Sequence, residues 1–220
     1  MRAVIFANGI LVDPDRVNSL LQPNDYIIAA DGGAQHCQEI GLRPDIVIGD
    51  MDSISPELKT EYQAGRTEFI IHPKDKDQTD LDLALSLAKQ KEINEVLLFG
   101  ILGGRLDLSL ANLLLLARDE WHNMSLVVVN GPDQAFLLRS NCSNSINGKP
   151  GDIVSLIPLT EQVEGVSTRG LRWQLEDAVL QLGNTRSLSN EMENGLAQVT
   201  IKQGKLLMVH RSIQIDGPEE

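Results

Sequence analysis

Through its first 130 or so residues the chain repeats one pattern. A short apolar run gives way to glycine or a small polar cluster, then to a stretch with helical spacing. The runs are Ala3 to Ala7, Tyr26 to Ala30, Ile46 to Ile48, Phe69 to Ile71, Val96 to Phe99 and Leu126 to Val129. Runs this short, bounded by turn residues, predict buried strands. Between them Asp13-Pro14, Ser55-Pro56 and Thr79 offer N-caps, and Gly41 and Gly65 offer stops. Helices are therefore expected from Pro14 to about Leu21, from about Ala34, after Pro56, after Thr79 and from about Leu106 to Arg118. The helix after Thr79 carries an apolar face of Leu81, Ala84, Leu85 and Ala88, the mark of packing on a sheet. Such alternation predicts an α/β region with a mainly parallel sheet covered on both faces.

After Gly131 the helical spacing stops. Short runs take over: Ala135 to Leu138, Ile153 to Ile157, Val163 to Val166, Leu171 to Leu175, Ala178 to Leu182, Ala197 to Ile201 and Leu206 to Val209. Regular short strands with turn residues between them predict a C-terminal all-β sandwich. Lys202-Gln203-Gly204-Lys205 reads as a hairpin turn. The boundary falls in the stretch from Gly131 to the Ser/Asn-rich segment ending at Asn147, dividing the chain into residues 1–131 and 132–220. An acidic tail, Asp216 to Glu220, closes it.

The polar residues that follow the strands are Asn8, Asp31, Asp50, Asp77 to Asp80, Gly103 to Arg105 and Asn130. In an open α/β sheet these carboxyl ends share one edge, where ligands bind. Asp50 and Asp52 are two apart on extended chain and face one point. Two carboxylates so close call for a cation or a shared proton. The acidic set, Asp31, Asp50, Asp52, Asp75, Asp77, Asp80 and Asp82, offers oxygen alone, which favours Mg²⁺ or Mn²⁺ over zinc. With such an ion bound, the edge would attract a nucleotide phosphate rather than repel it. Taken singly, Asp31, Asp52 and Thr79 read as helix caps, and Asp75 and Asp82 as solvated or helix-start charge. Gly100, Gly103 and Gly104 lead from strand to helix, where backbone N–H groups and Arg105 can cradle phosphate. The turn is neither a Walker A loop nor a dinucleotide fingerprint.

The formal net charge of -12 argues against nucleic acid or an anionic membrane as partner. Two distant cysteines, Cys37 and Cys142, make no disulfide framework, which suits a reducing, cytoplasmic setting. The opening run Met1 to Ala7 is too short for a signal peptide, and Ala111 to Ala117 is far short of a membrane span. Trp121 and Trp173 read as core, and the four histidines are dispersed. No Ser/His/Asp or Cys/His arrangement stands out, so charge neutralisation and positioning carry the chemistry. On residues alone, Asp50-Met51-Asp52 also suits a phosphohydrolase with an Asp-x-Asp nucleophile, although the usual threonine after it is absent. A non-catalytic nucleotide-binding module is the other alternative.

In order and spacing, six segments resemble the motifs of the thiamine pyrophosphokinase family. They are Asp31-Gly32-Gly33-Ala34; Pro44-Asp45 leading to Gly49-Asp50-Met51-Asp52-Ser53-Ile54; Asp77-Gln78-Thr79-Asp80; Gly103-Gly104-Arg105-Leu106-Asp107; and, in the second half, Thr168 to Leu175 with Ser187-Leu188-Ser189-Asn190-Glu191. The resemblance implies transfer of the pyrophosphoryl group of ATP to the hydroxyl of thiamine, giving thiamine diphosphate and AMP. It implies that residues 1–131 bind nucleotide and metal, and that residues 132–220 bind thiamine and dimerise. It further implies a homodimer with active sites at the subunit interface. By position, Asp50, Asp52 and Asp80 would hold Mg²⁺, with Asp77 joining them in catalysis. Asp31, Gly103, Gly104, Arg105 and Asp107 would meet the nucleotide. Ser187, Ser189, Asn190 and Met192 would meet thiamine. The chain departs from the resemblance at Leu108, where many members carry histidine, and at Met192, where members often carry an aromatic. Leu108 cannot do acid–base work, while the Met192 thioether can still pack on a flat ring.

Overall fold

The computed structural model describes residues 1–213, so the acidic tail Asp216 to Glu220 lies outside the described residues. The chain forms two compact units, Met1–Gly131 and Pro132–Glu220.

The first unit alternates strand and helix as its sequence pattern predicts. Its elements are β1 (Arg2–Phe6), α1 (Pro14–Leu20), β2 (Tyr26–Ala30), α2 (Gly33–Glu39), β3 (Ile46–Gly49), α3 (Pro56–Ala64), β4 (Glu68–Ile71), α4 (Asp80–Gln90), β5 (Glu95–Phe99), α5 (Leu106–Leu115) and β6 (Ser125–Asn130). The caps are those expected. Asp13, Ser55 and Thr79 accept hydrogen bonds from the backbone N–H of Arg16, Leu58 and Asp82, each worth about 1 kcal/mol. The six strands are all parallel, in the order β6-β5-β1-β2-β3-β4. Alternate side chains divide between the two faces. Val4, Phe6, Ile27, Ala29 and Val47 join Val17, Cys37, Leu58 and Tyr62 in one core. On the sheet's other side α4 packs against β2 and β3. The last predicted helix stops short, because α5 ends at Leu115 and a 3₁₀ turn, Asp119–Trp121, follows. No residue of α5 is buried, although the helix is mostly leucine.

The strand order places a topological switch at β1. The chain proceeds from β1 to β4 on one side and returns to β5 on the other. Loops leaving β1 and β5 therefore part in opposite directions at the carboxyl edge, the expected position of a ligand cleft.

The second unit contains β7 (Asp133–Arg139), β8 (Cys142–Asn147), β9 (Ile153–Pro158), β10 (Gln162–Arg169), β11 (Ala178–Gln181), β12 (Asn190–Glu191), β13 (Leu196–Ile201) and β14 (Lys205–Arg211). Antiparallel pairing arranges them as β12-β9-β14-β7 and β11-β10-β13-β8. Leu156, Leu206 and Met208 from the first set and Val163, Val199 and Ile201 from the second share one core, the arrangement of a sandwich. Three expectations change here. The Ser/Asn-rich boundary segment is itself a strand, β8, in which only Ile146 is buried. Lys202 to Gly204 joins β13 to β14, which lie in different sheets, so the turn is a crossover and not a hairpin. Leu171 to Leu175 is a loop, since Thr168 both donates to the Leu175 carbonyl (2.9 Å) and, through Oγ1, accepts from its N–H (2.8 Å).

Candidate active site

The loops after β1, β2, β3 and β5 and the start of α4 supply polar groups to one edge of the first unit. Asp31, which follows β2, is buried and held at a positive φ of 46°. Its N–H donates to Ile48 at 2.9 Å. Asp50 and Asp52 follow β3 around Met51, itself at φ 65°, and the Asp52 N–H donates to Asp50 Oδ1 at 3.1 Å. Strained φ values at two such positions are typical of sites the surrounding structure holds in place. Ser53 ties the loops together: its N–H approaches Asp31 Oδ1 at 3.4 Å, and its hydroxyl accepts from Asn8 Nδ2 and donates to Asp52 Oδ1, each at 3.2 Å. Carboxylate oxygens of Asp31, Asp50 and Asp52 lie within 4.8 Å of one another.

Asp31 and Asp52, each readable as a cap, cap nothing: α2 begins without a side-chain cap, and Ser55 caps α3. Asp80 opens α4 behind Thr79 and approaches from the β4 side. Gly49 makes room for it, because a Cβ there would stand 2.9 Å from Asp80 Oδ1 and 3.0 Å from Asp31 Cβ. Burial pushes the Asp80 carboxyl above its ordinary range; the Lys76 ammonium opposes the rise, and Asp31 and Asp50 add to it. Asp80 Oδ1 accepts no hydrogen bond, although Lys76 Nζ stands 3.1 Å away. Asp52 is exposed and held below the ordinary range, first by its hydrogen bond from Lys74 at 2.5 Å and then by Ser53. Asp77 is exposed on the loop before α4.

A cleft of about 460 Å³ opens where the β1 and β5 loops diverge. Asn8, Gly9, Thr79, Asp80, Gly100, Gly103, Gly104, Arg105, Leu108 and Asn112 line it. Gly103 and Gly104 have φ of 92° and 73°, which glycine alone adopts without strain. The Arg105 guanidinium is exposed and paired with Asp107, so Asp107 serves Arg105 and stands outside the lining. Asn112 escaped the sequence reading; its signal was a lone amide in a leucine run, and its side chain donates to the Ile101 carbonyl at 2.8 Å.

In the second unit a cleft of about 350 Å³ is lined by Leu156, Trp173, Gln174, Leu175, Arg186, Ser187, Leu188 and Asn190. Asn190 holds the Trp173 backbone at both ends, accepting from its N–H (3.0 Å) and donating to its carbonyl (2.6 Å). The Ser187 hydroxyl donates to Leu156 (2.7 Å), and the Ser189 N–H donates to Ser155 Oγ (3.0 Å). Two residues differ in burial from their expected places. Trp173, read as core, is 54% exposed with Arg172 over its ring. Met192, read as a ligand contact, is 1% exposed inside the sandwich core. Trp121 is buried, as expected.

Comparison with known proteins finds a family model for a stretch of each unit. The family model described as "Thiamin pyrophosphokinase, catalytic domain" matches residues 17–128. A second, "Thiamin pyrophosphokinase, vitamin B1 binding domain", matches residues 143–206. Thiamine pyrophosphokinase 1 of Oryza sativa subsp. japonica is 32% identical over 197 residues, 79% of this chain and 74% of that protein. The thiamine pyrophosphokinase of Bacillus subtilis (strain 168) is 27% identical over 182 residues, 83% of this chain and 85% of that protein. A solved structure of the Bacillus subtilis protein matches with a TM-score of 0.87 at 25% identity, over 97% of this chain and 100% of that one.

Proposed function

The chain belongs to the thiamin pyrophosphokinase family, and from that premise we propose that it moves the pyrophosphoryl group of ATP onto the hydroxyl of thiamine. The observation that carries this reading is the meeting of Asp31, Asp50, Asp52 and Asp80 beside a glycine-lined cleft at the β1 switch. The hydroxyl oxygen bonds to the β-phosphorus, the bond from that phosphorus to the α-bridging oxygen breaks, and AMP leaves with the electron pair. Asp77, exposed and next to Lys76, is the carboxylate we assign to take the hydroxyl proton.

The reaction is metal-dependent, and the donor set fits Mg²⁺. It is all carboxylate oxygen, three of the groups converge within 4.8 Å, and Asp80 Oδ1 accepts no hydrogen bond. Asp31, Asp50, Asp52 and Asp80 would hold the ion, which would supply positive charge against the phosphate oxygens. Gly104 and the start of α5 offer N–H groups to phosphate, with Gly103 held by its N–H donating to Ser109 Oγ at 3.0 Å, and Arg105 adds a planar cation. In the second unit, Trp173 offers an aromatic face for the thiamine rings, with Ser187, Ser189 and Asn190 ordering the wall beside it.

A homodimer, with active sites completed at the subunit interface, belongs to the same reading. The bare face of α5 supports it: Leu106, Leu110 and Leu114, at helical spacing, are 85%, 56% and 49% exposed. A reducing, cytoplasmic setting suits the free thiols Cys37 and Cys142. Among the described residues no helix is long and apolar enough to cross a membrane. Purified protein given ATP, Mg²⁺ and thiamine should form AMP and thiamine diphosphate in equal amounts. Folded protein that makes ADP and phosphate, or nothing, would refute the proposal.

A further inference from the structure

Lys76 stands in the middle of the acidic edge. Its ammonium lies 3.1 Å from Asp80 Oδ1 and 4.0 Å from Asp50 Oδ2, and its side chain is only 13% exposed. The neighbouring Lys74–Asp52 pair has a lysine side chain 79% exposed, and such surface pairs do little. Lys76 also sits before the first turn of α4, where the helix dipole disfavours a cation. The Asp50 and Asp80 carboxylates offset that cost. The segment that carries it, His72 to Gln78, has no regular secondary structure, and a lysine has a flexible four-carbon stem.

We propose that Lys76 is the resident counter-cation of the site: it neutralises Asp50 and Asp80 until a divalent ion takes them, and then turns its ammonium to the phosphate chain. The inference rests on the metal and nucleotide reading above. Two cations cannot share one carboxylate pair without repulsion, so entry of the ion displaces the ammonium. A lysine point charge released beside the cleft is suited to phosphate oxygens. Lys76 therefore opposes binding of the bare ion and favours binding of the ion with nucleotide. A merely structural lysine would not give these opposite signs.

Free Mn²⁺, counted by electron paramagnetic resonance, tests this without turnover. Lys76→Gln should bind Mn²⁺ about tenfold more tightly than the parent in the absence of nucleotide, since it removes the competing charge. It should bind Mg²⁺–ATP about tenfold more weakly by calorimetry, with the lost phosphate contact as cause. Lys76→Arg, which keeps the charge, should stay near the parent in both. Lys76→Met keeps the stem and serves as a second neutral variant; Mn²⁺ should raise its melting temperature more than it raises the parent's. Equal or weaker Mn²⁺ binding by both neutral variants overturns the inference, as does unchanged Mg²⁺–ATP binding. Failure of the underlying reading looks different: the parent itself would bind no Mn²⁺, and Asp52→Asn would change nothing, which removes this inference with it.

Discussion

Gly49→Ala tests whether close approach across β3 builds the carboxylate set. The new methyl would sit 2.9 Å from Asp80 Oδ1 and 3.0 Å from Asp31 Cβ, at a φ of +148°. A non-glycine residue in such a conformation costs roughly 1–3 kcal/mol. Overpacking against two side chains that α4 and β2 hold in place adds roughly 1–3 kcal/mol. At a combined loss of about 3 kcal/mol the melting temperature falls by about 6–12 °C. Gly41→Ala is the control, because its φ is +68° with nothing within 4 Å of the added Cβ. It carries backbone strain alone, about 1–2 kcal/mol. Thermal melting of the metal-free proteins should therefore place Gly49→Ala several degrees below Gly41→Ala. Displacing Asp31 and Asp80 should also weaken Mn²⁺ binding by about tenfold or more, while Gly41→Ala leaves it unchanged. If the two variants melt alike and both bind Mn²⁺ as the parent does, the packing of Asp31 and Asp80 about Gly49 is not what shapes the site.

Asp52→Asn should lower turnover by on the order of a hundredfold or more while the melting curve stays close to the parent's, since an exposed carboxylate gives the fold little; an unchanged rate in a steady-state assay removes Asp52 from the site. Trp173→Ala should raise the KM for thiamine and spare that for ATP, whereas Met192→Ala should cost about 2–5 kcal/mol in urea unfolding; the reverse pattern would return Met192 to the ligand and Trp173 to the core. Burial works to raise Asp152, but the N–H groups of Ile213 and Lys149 and the His210 ring at 2.9 Å outweigh it, and its carboxyl lies below the ordinary range. A depressed carboxyl adds stability above its unfolded value, and that stability is lost as pH falls through the folded value. Asp152→Asn should thus cost on the order of 1–3 kcal/mol at neutral pH, with the gap to the parent closing below about pH 4; a gap that does not change with pH would refute the charge argument.

Much of the first unit was legible because each of its signals is local. Short apolar runs mark the parallel strands, although β4, at the sheet edge, is not buried as expected and leaves Ile71 61% exposed; Asp13, Ser55 and Thr79 cap the helices they precede. Since strand ends share an edge, residues as distant as Asn8, Asp31 and Asp50 could be grouped before any coordinates. The second unit was harder for physical reasons. β8 is polar because a strand at the edge of its sheet buries only Ile146, so composition disguised it as a linker. Lys202 to Gly204 has hairpin chemistry, yet which sheet each flanking strand joins is decided by distant partners. Met192 and Trp173 are both apolar enough for either role. The sandwich core had room for the thioether, and Asn190 pins the Trp173 backbone in a loop with its ring outward. Lys76 carried no signal of its own, because a lysine between aspartates reads the same whether it faces water or Asp80.

The central claim is that the β-phosphorus of ATP is the atom attacked. ATP labelled at the β-phosphate, incubated with the protein, Mg²⁺ and thiamine, should place all transferred label in thiamine diphosphate, with one AMP, unlabelled, per product formed. Label recovered in ADP, in inorganic phosphate, or on an aspartate of the protein would contradict the account.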